Sequence, residues 1–246
     1  MAPKAKTKGK SRKAPQAASR WGRPRPIRWL ARWTARGLLA AVAILLLAVA
    51  CFAVFDPPST PYMRAEARRL GQVDHEWVPL AQMAPIMARA AVAAEDANFC
   101  THWGFDITAI RDAITDGGAR GASTISQQVV KNVYLWQGRS WLRKALEAVI
   151  TPVVEMVWSK RRILEVYLNV AEFGEGVFGV DAAAYRYFRV TPAELTATQA
   201  TRLAAILPAP KDRSASNPSA FVQRRARAIR DGAATIDADG RADCFQ

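Results

Sequence analysis

The segment Ala84-Pro85-Ile86-Met87-Ala88-Arg89-Ala90-Ala91-Val92-Ala93-Ala94-Glu95 carries Ile86, Met87, Ala90, Ala91 and Ala94 at helical spacing. That spacing predicts a buried helix ending at Glu95. The chain continues Asp96-Ala97-Asn98-Phe99-Cys100-Thr101-His102-Trp103-Gly104-Phe105-Asp106, so three acids and a histidine fall where a helix yields to a glycine-containing loop. A carboxylate at the end of an apolar helix is partly desolvated, which raises its pKa and suits it to general-base or general-acid work. A capped helix end with a satisfied core histidine is the plainer explanation of the same residues. One histidine among acids is a poor metal-ligand set.

Outward from this segment the pattern stays helical. Further helices are predicted over Thr124 to Trp136, Trp141 to Trp158, Ser159 to Val170, Val180 to Phe188, Pro192 to Leu207 and Pro218 to Asp231. No alternating run of six residues argues for a sheet, and no internal repeat is visible. Thr124 with Gln127 forms a capping box, while Gln127 with Lys131 and Gln128 with Asn132 lay a polar stripe along a helix start, suited to an anionic or sugar ligand. Arg143 and Glu147 stand one turn apart, and a surface ion pair explains that spacing equally well. Pro152, inside the helix that starts at Trp141, is expected to kink or end it.

Twelve of the 35 Lys and Arg residues lie in residues 1–36, which hold no carboxylate; the remaining 23 cations face 21 acids. The net charge of +14 therefore belongs to a disordered basic arm and not to a nucleic-acid-binding surface. Gly37 to Phe55 is a 19-residue run with no charged or polar side chain, close to the roughly 20 that span a bilayer as a helix. The cations ahead of it put the N-terminus in the cytoplasm and the body outside. A cleaved signal peptide is the competing reading, because Ala48-Val49-Ala50 followed by Cys51 has the form of a cleavage site. Asp56-Pro57-Pro58-Ser59-Thr60-Pro61 opens a stiff linker over 56–76, and the folded body runs over 77–246. Cys100 and Cys244 both fall on the exported, oxidising side, where a disulfide and two unpaired thiols are both open.

Five motifs stand in order: Glu95-Asp96-x-x-Phe99-x-x-His102-x-Gly104-x-Asp106; Gly121-Ala122-Ser123-Thr124-Ile125 through Gln127-Gln128 to Lys131-Asn132; Arg143-Lys144-x-x-Glu147; Lys160-x-x-Ile163-Leu164-Glu165-x-Tyr167-Leu168-Asn169 through Phe173-Gly174-x-Gly176-x-Phe178-Gly179; and Ala204-Ala205-x-Leu207-Pro208. Together they resemble the peptidoglycan glycosyltransferase domain shared by class A penicillin-binding proteins and monofunctional biosynthetic peptidoglycan transglycosylases. The absence of sequence for a transpeptidase domain points to the monofunctional branch. The resemblance implies a mainly α, lysozyme-like domain with a smaller membrane-proximal lobe, behind one transmembrane helix.

The reaction implied is attack of a lipid II GlcNAc 4-hydroxyl on the anomeric carbon of the lipid-linked growing glycan, inverting configuration and releasing undecaprenyl diphosphate. Glu95 resembles the general base and Glu147 the second essential carboxylate. The substrate-binding set carried over is Asp96, Phe99, His102, Ser123, Thr124, Gln127, Gln128, Lys131, Asn132, Arg139, Arg143 and Lys144, with the cations stabilising the leaving diphosphate. A divalent metal ion, Mg or Mn, at that diphosphate is the one cofactor implied; no residue is assigned as a metal ligand, and no organic cofactor is expected. The expected partners are lipid II, the lipid-linked strand, the bacterial inner membrane and cell-wall synthesis proteins, with no nucleic acid. A lysozyme-like enzyme that cleaves peptidoglycan is the alternative, since a carboxylate pair also serves glycosidases.

Overall fold

The computed structural model describes residues 26–115 and 123–246, so residues 1–25 of the predicted arm and Gly121 and Ala122 of the second motif lie outside the described residues. The described residues hold ten α-helices: α1 Pro26–Phe52, α2 Pro61–Leu70, α3 Pro85–Glu95, α4 Ile107–Thr115, α5 Ile125–Tyr134, α6 Trp141–Val157, α7 Lys160–Val170, α8 Gly179–Phe188, α9 Ala197–Ile206 and α10 Ala220–Ala238. Three short strands, β1 Asp74–His75, β2 Glu172–Gly174 and β3 Val177–Phe178, form a sheet ordered β1-β3-β2, with β1 parallel and β2 antiparallel to β3. The mainly α expectation holds. The sheet escaped the sequence reading because strands of two or three residues are too short to show an alternation.

The chain divides into an N-terminal unit ending at Leu45 and a body from Leu46 onward. In the N-terminal unit, α1 starts at Pro26, ahead of the predicted boundary at Gly37, so residues 26–36 are helical and not part of a disordered arm. Arg28, Arg32 and Arg36 recur every fourth residue beside Trp29 and Trp33, whose rings lie 6.1 Å apart, and that pattern continues the apolar helix toward the N-terminus. The stretch Arg28–Phe52 is long and apolar enough to cross a membrane. One N-terminal apolar helix thus fits a single-pass anchor.

In the body, α3 packs on α9 and α10. Its small residues Ala88, Ala90 and Ala91, buried with Met87 and Val92, bring those helices close. A second group joins α5 to α6 and α7, with Val129, Val130, Val154, Ile163 and Leu164 fully buried between them. Glu95 ends α3 and Thr124 starts α5, so the two bundles present helix termini to one cleft.

Four boundaries differ from the sequence reading. Residues 56–76 are not only a linker: Thr60 accepts the Met63 amide at 3.1 Å and caps α2, a charged helix whose buried residues are Met63 and Glu66. Asp106 accepts the Ala109 amide at 2.9 Å and starts α4, which was not predicted. The stretch from Pro192 breaks into a 3₁₀ turn, Pro192–Glu194, and α9, because Thr191 with Glu194 and Thr196 with Gln199 form separate capping boxes. The last helix runs on to Ala238, past Asp231. Pro152 does not end α6, which continues to Val157. The proline and Ala148, whose carbonyl it leaves without its helical donor, are both exposed.

Cys100 and Cys244 are bonded, with Cα atoms 5.7 Å apart. The bridge is reinforced locally. Arg241 donates to the Ala97 carbonyl at 3.1 Å, Arg161 donates to the Phe245 carbonyl at 2.8 Å, and Phe245 packs against Phe99.

Candidate active site

Glu95 is placed by the end of α3, where the Asp96 amide still donates to the Val92 carbonyl and closes the last turn. Its carboxylate is mostly buried. Gln128 Nε2 donates to Oε2 at 3.0 Å, Arg225 stands 3.9 Å from Oε1, and Oε1 makes no hydrogen bond within the protein. Burial pushes the Glu95 carboxyl above its usual pKa, opposed by the Gln128 hydrogen bond and by the charges of Arg225 and Lys131. Before it opens a cleft of about 250 Å³ lined by Ala94, Asp96, Asn98, Asp106, Ser123 and Thr124.

Glu147 on α6 is 3 % exposed and held from both sides. Arg143 Nη1 reaches Oε2 at 2.6 Å and the Lys144 ammonium bonds Oε1. Lys144 also points at Ser123 Oγ, 3.4 Å away, so the second and third motifs meet through it. Lys131 on α5 feels both Glu147 and Glu95. Burial lowers its pKa, helped by the like charges of Arg143 and Lys144 and opposed by the two carboxylates. Three cations thus share two carboxylates at one edge of the cleft. That edge is short of negative charge and suits a diphosphate.

The remaining predicted residues divide by what their side chains touch. Asp96 is buried, with Oδ1 2.8 Å from His102 Nε2 and Oδ2 accepting the Ile125 amide at 2.9 Å. Thr124 and Gln127 form the capping box of α5, and Thr124 Oγ1 also donates to the Gly104 carbonyl at 2.7 Å. Phe99 is fully buried beneath Lys160, whose ammonium lies 4.5 Å from its ring centre. Asn132 is buried and accepts from Gln137 at 3.0 Å. Phe99 is thus a core residue, the side chains of Asp96, Gln127 and Asn132 bond within the fold, and His102 bonds through Nε2 while its Nδ1 has no partner within the protein. These contacts hold the loop and the start of α5, and Asp96 also lines the cleft. Gln128 orients Glu95, Ser123 opens on the cleft, and Arg139 is exposed beyond α5.

Two residues outside the predicted set belong to the scaffold. Glu155 on α6 is buried and takes hydrogen bonds from Ser126 and from Lys160 at 2.8 Å; Lys160 also donates to the His102 carbonyl at 2.7 Å. Its signal was legible, because Glu155 follows Glu147 by two turns on the same face. Arg225, from distant α10, had no local signal. No three acidic, histidine or cysteine side chains gather as metal ligands among the described residues. With Asp96 and Glu147 already bonded, the described residues do not build a resident site for a divalent ion.

A transglycosylase family model matches residues 64–233. A biosynthetic peptidoglycan transglycosylase of Jannaschia sp. strain CCS1 is 62 % identical over 214 residues, covering 87 % of this chain and 90 % of the relative. Proteins of the same name from Caulobacter vibrioides and Pectobacterium atrosepticum are 44 % identical over 218 residues (85 % of this chain, 95 % of the relative) and 46 % identical over 221 residues (84 % and 90 %), respectively.

Proposed function

The chain belongs to the transglycosylase family, and from that membership and the cleft around Glu95 we propose how its residues divide the work. The enzyme polymerises lipid II into β-1,4-linked glycan strands of peptidoglycan and releases undecaprenyl diphosphate. Glu95 accepts the proton of the GlcNAc 4-hydroxyl as the oxygen forms its bond to the anomeric carbon of the growing strand. The bond from that carbon to the diphosphate oxygen breaks on the opposite face, so configuration inverts and no covalent enzyme intermediate is needed. The observation that carries this role is the free Oε1 of a buried carboxylate whose other oxygen is already held by Gln128.

Lys131, Arg143 and Lys144 stabilise the charge that grows on the leaving diphosphate, and Glu147 keeps the last two in place. Three cations gathered beside Glu147 and Glu95 support this, because without a bound anion positive charge outnumbers negative there. Ser123 and Gln128 border the sugar, and Arg139 approaches the diphosphate from the loop ahead of α6. A lysozyme-like hydrolase is not favoured, since its uncharged glycan has no use for that cluster.

The anchor is retained in the bacterial inner membrane, with the N-terminus cytoplasmic and the catalytic body periplasmic. Support comes from the basic flank of α1 and from the Cys100–Cys244 bridge, which belongs to an oxidising compartment. Val49 also argues against a cleaved leader: it is fully buried in the body, and its carbonyl accepts from Trp158 Nε1 at 2.7 Å. Cleavage after Ala50 would strip that partner away. Incubating the purified full-length protein with lipid II in detergent micelles and separating the products tests the reading. Long glycan strands support it; unchanged lipid II or cleaved disaccharides would sink it.

A further inference from the structure

The surface between α9 and α10 holds a pocket of about 220 Å³ lined by Thr198, Thr201, Arg202, Gln223, Ala226, Arg227 and Arg230. Three guanidinium groups border it and no acid does. The ion pairs made by α10 and its surroundings, Arg89 with Asp237, Arg225 with Glu95 and Arg241 with Asp239, leave these three arginines untouched. Apart from its first 36 residues the chain is nearly balanced in charge, so this crowding is local. Like charges held together on two packed helices oppose folding, and such a breach of local balance points to use.

The pocket does not serve the cleft. Arg225, which faces Glu95, lies about 100° to 160° around α10 from Gln223, Ala226, Arg227 and Arg230, which share one face at helical spacing. A membrane does not suit it either. Phe221 is the one exposed large apolar side chain on α9 or α10 and does not line the pocket, whose rim is threonine, glutamine and arginine, whereas α6 exposes Trp141, Leu142, Val149 and Met156 together. Every cation at the pocket is arginine, whose planar fork pairs with a carboxylate through two parallel hydrogen bonds, and Gln223 adds a neutral amide.

We propose that the α9–α10 pocket is a docking site for a glutamate- or aspartate-rich segment of a partner protein, held by Arg202, Arg227 and Arg230. It lies apart from the polymerising cleft, so a partner engaged there leaves lipid II free to enter.

The test titrates a fluorescent octaglutamate peptide onto the full-length protein in neutral detergent micelles near physiological ionic strength. Replacing Arg202, Arg227 and Arg230 together by glutamine should weaken binding by about tenfold or more. The single exposed change Arg230→Gln should show part of that loss, which guards against misfolding of the triple variant. Replacing Arg64, Arg68 and Arg186 by glutamine removes the same charge elsewhere and should leave affinity near wild type. Lipid II polymerisation should be unchanged in all three variants. Equal affinity of wild type and the pocket variant, or equal losses in pocket and control variants, overturns the proposal. So does a pocket variant that keeps the peptide but loses binding to phosphatidylglycerol vesicles.

Discussion

Gln128 Nε2 donates to Glu95 Oε2 at 3.0 Å and leaves Oε1 without a partner. The contact spans the two bundles of the body, since Gln128 rides on α5 and Glu95 ends α3. It holds the carboxylate plane through one oxygen and leaves the other free of any hydrogen bond within the protein, so a proton acceptor is in place before substrate arrives.

Glu95→Gln should lower lipid II turnover by a factor on the order of 10² to 10⁴ or more, because the amide keeps the shape and loses the proton acceptor. Stability should move the other way. Burial raises the Glu95 pKa, so the folded state loses stability as pH rises through the unfolded value, and the loss is complete once pH passes the folded value. Below the unfolded pKa of about 4.3 both states are protonated and that cost vanishes. The variant should therefore melt higher than wild type at neutral pH and lose the advantage in acid, as differential scanning calorimetry at the two pH values would show. Turnover within threefold of wild type would sink the assignment.

Lys131→Ala and Arg143→Ala should each raise the barrier by about 2 to 4 kcal/mol if the groups contact the leaving oxygens in a dry site. The two should differ in stability. Arg143 holds the nearly buried Glu147 at 2.6 Å, so its loss leaves that carboxylate with Lys144 alone, whereas Lys131 is itself a desolvated cation whose removal relieves a cost. Single-turnover rates with melting curves of both variants would check this. Rates insensitive to both changes would return these cations to ordinary surface charge.

Gly104→Ala should destabilise the protein by about 1 to 3 kcal/mol. Gly104 sits at φ +84, and an added Cβ would come 2.5 Å from Thr151 Cγ2 and 3.2 Å from Glu155 Cγ. The same residue's carbonyl takes the Thr124 hydroxyl, so the loop bearing His102 would shift away from α5. Chemical denaturation should show the loss, and polymerisation should fall with it. A variant as stable and active as wild type would mean the loop is not fixed at this glycine.

The site was readable where function and local pattern coincide, and unreadable where it depends on distant pairing. Glu95 follows from an apolar helix that stops at an acid, and Thr124 with Gln127 from the spacing of a capping box; both stand where the sequence put them. Asp96 illustrates the limit. Its partners are His102, six residues on, and the Ile125 amide, 29 residues on, and only the folded chain reveals that these bonds consume the carboxylate. Helix α2 was missed because it has only ten residues, four of them charged, and it opens on Pro61 directly after the Pro57-Pro58 stretch, which reads as linker.

The Cys100–Cys244 bridge closes a loop of 144 residues, for which the chain-entropy model gives about 4 to 5 kcal/mol. Cys244→Ser should lower stability by a large part of that. It should also slow polymerisation, because the bridge and Arg241 tie the C-terminal segment to the loop that begins at Glu95. Melting with and without reductant checks the first effect. A reductant-insensitive melting temperature would show that the cysteines are unpaired in the purified protein.

The position of Val49 sharpens what the anchor does. Trp158 donates to its carbonyl, and Arg162 donates to the carbonyls of Phe52 and Phe55 and pairs with Asp56, so the end of α1 is part of the body. Two truncations then separate tethering from folding. A protein beginning at Leu46 keeps every one of these contacts and should melt like wild type, whereas one beginning at Pro57 leaves Arg162 with Glu165 and orphans the Trp158 indole, a loss on the order of 1 to 3 kcal/mol for a buried donor left unpaired. Both should polymerise lipid II less well in vesicles, because a free domain must first partition to the surface where a tethered one already resides. The deficit should be partial, since exposed Trp141, Leu142, Val149 and Met156 on α6 still offer an apolar face to the interface. It should shrink in micelles, where enzyme and substrate share one small aggregate. Equal melting temperatures of the two truncations would show that α1 contributes a tether alone, and full activity of both in vesicles would show that it contributes neither.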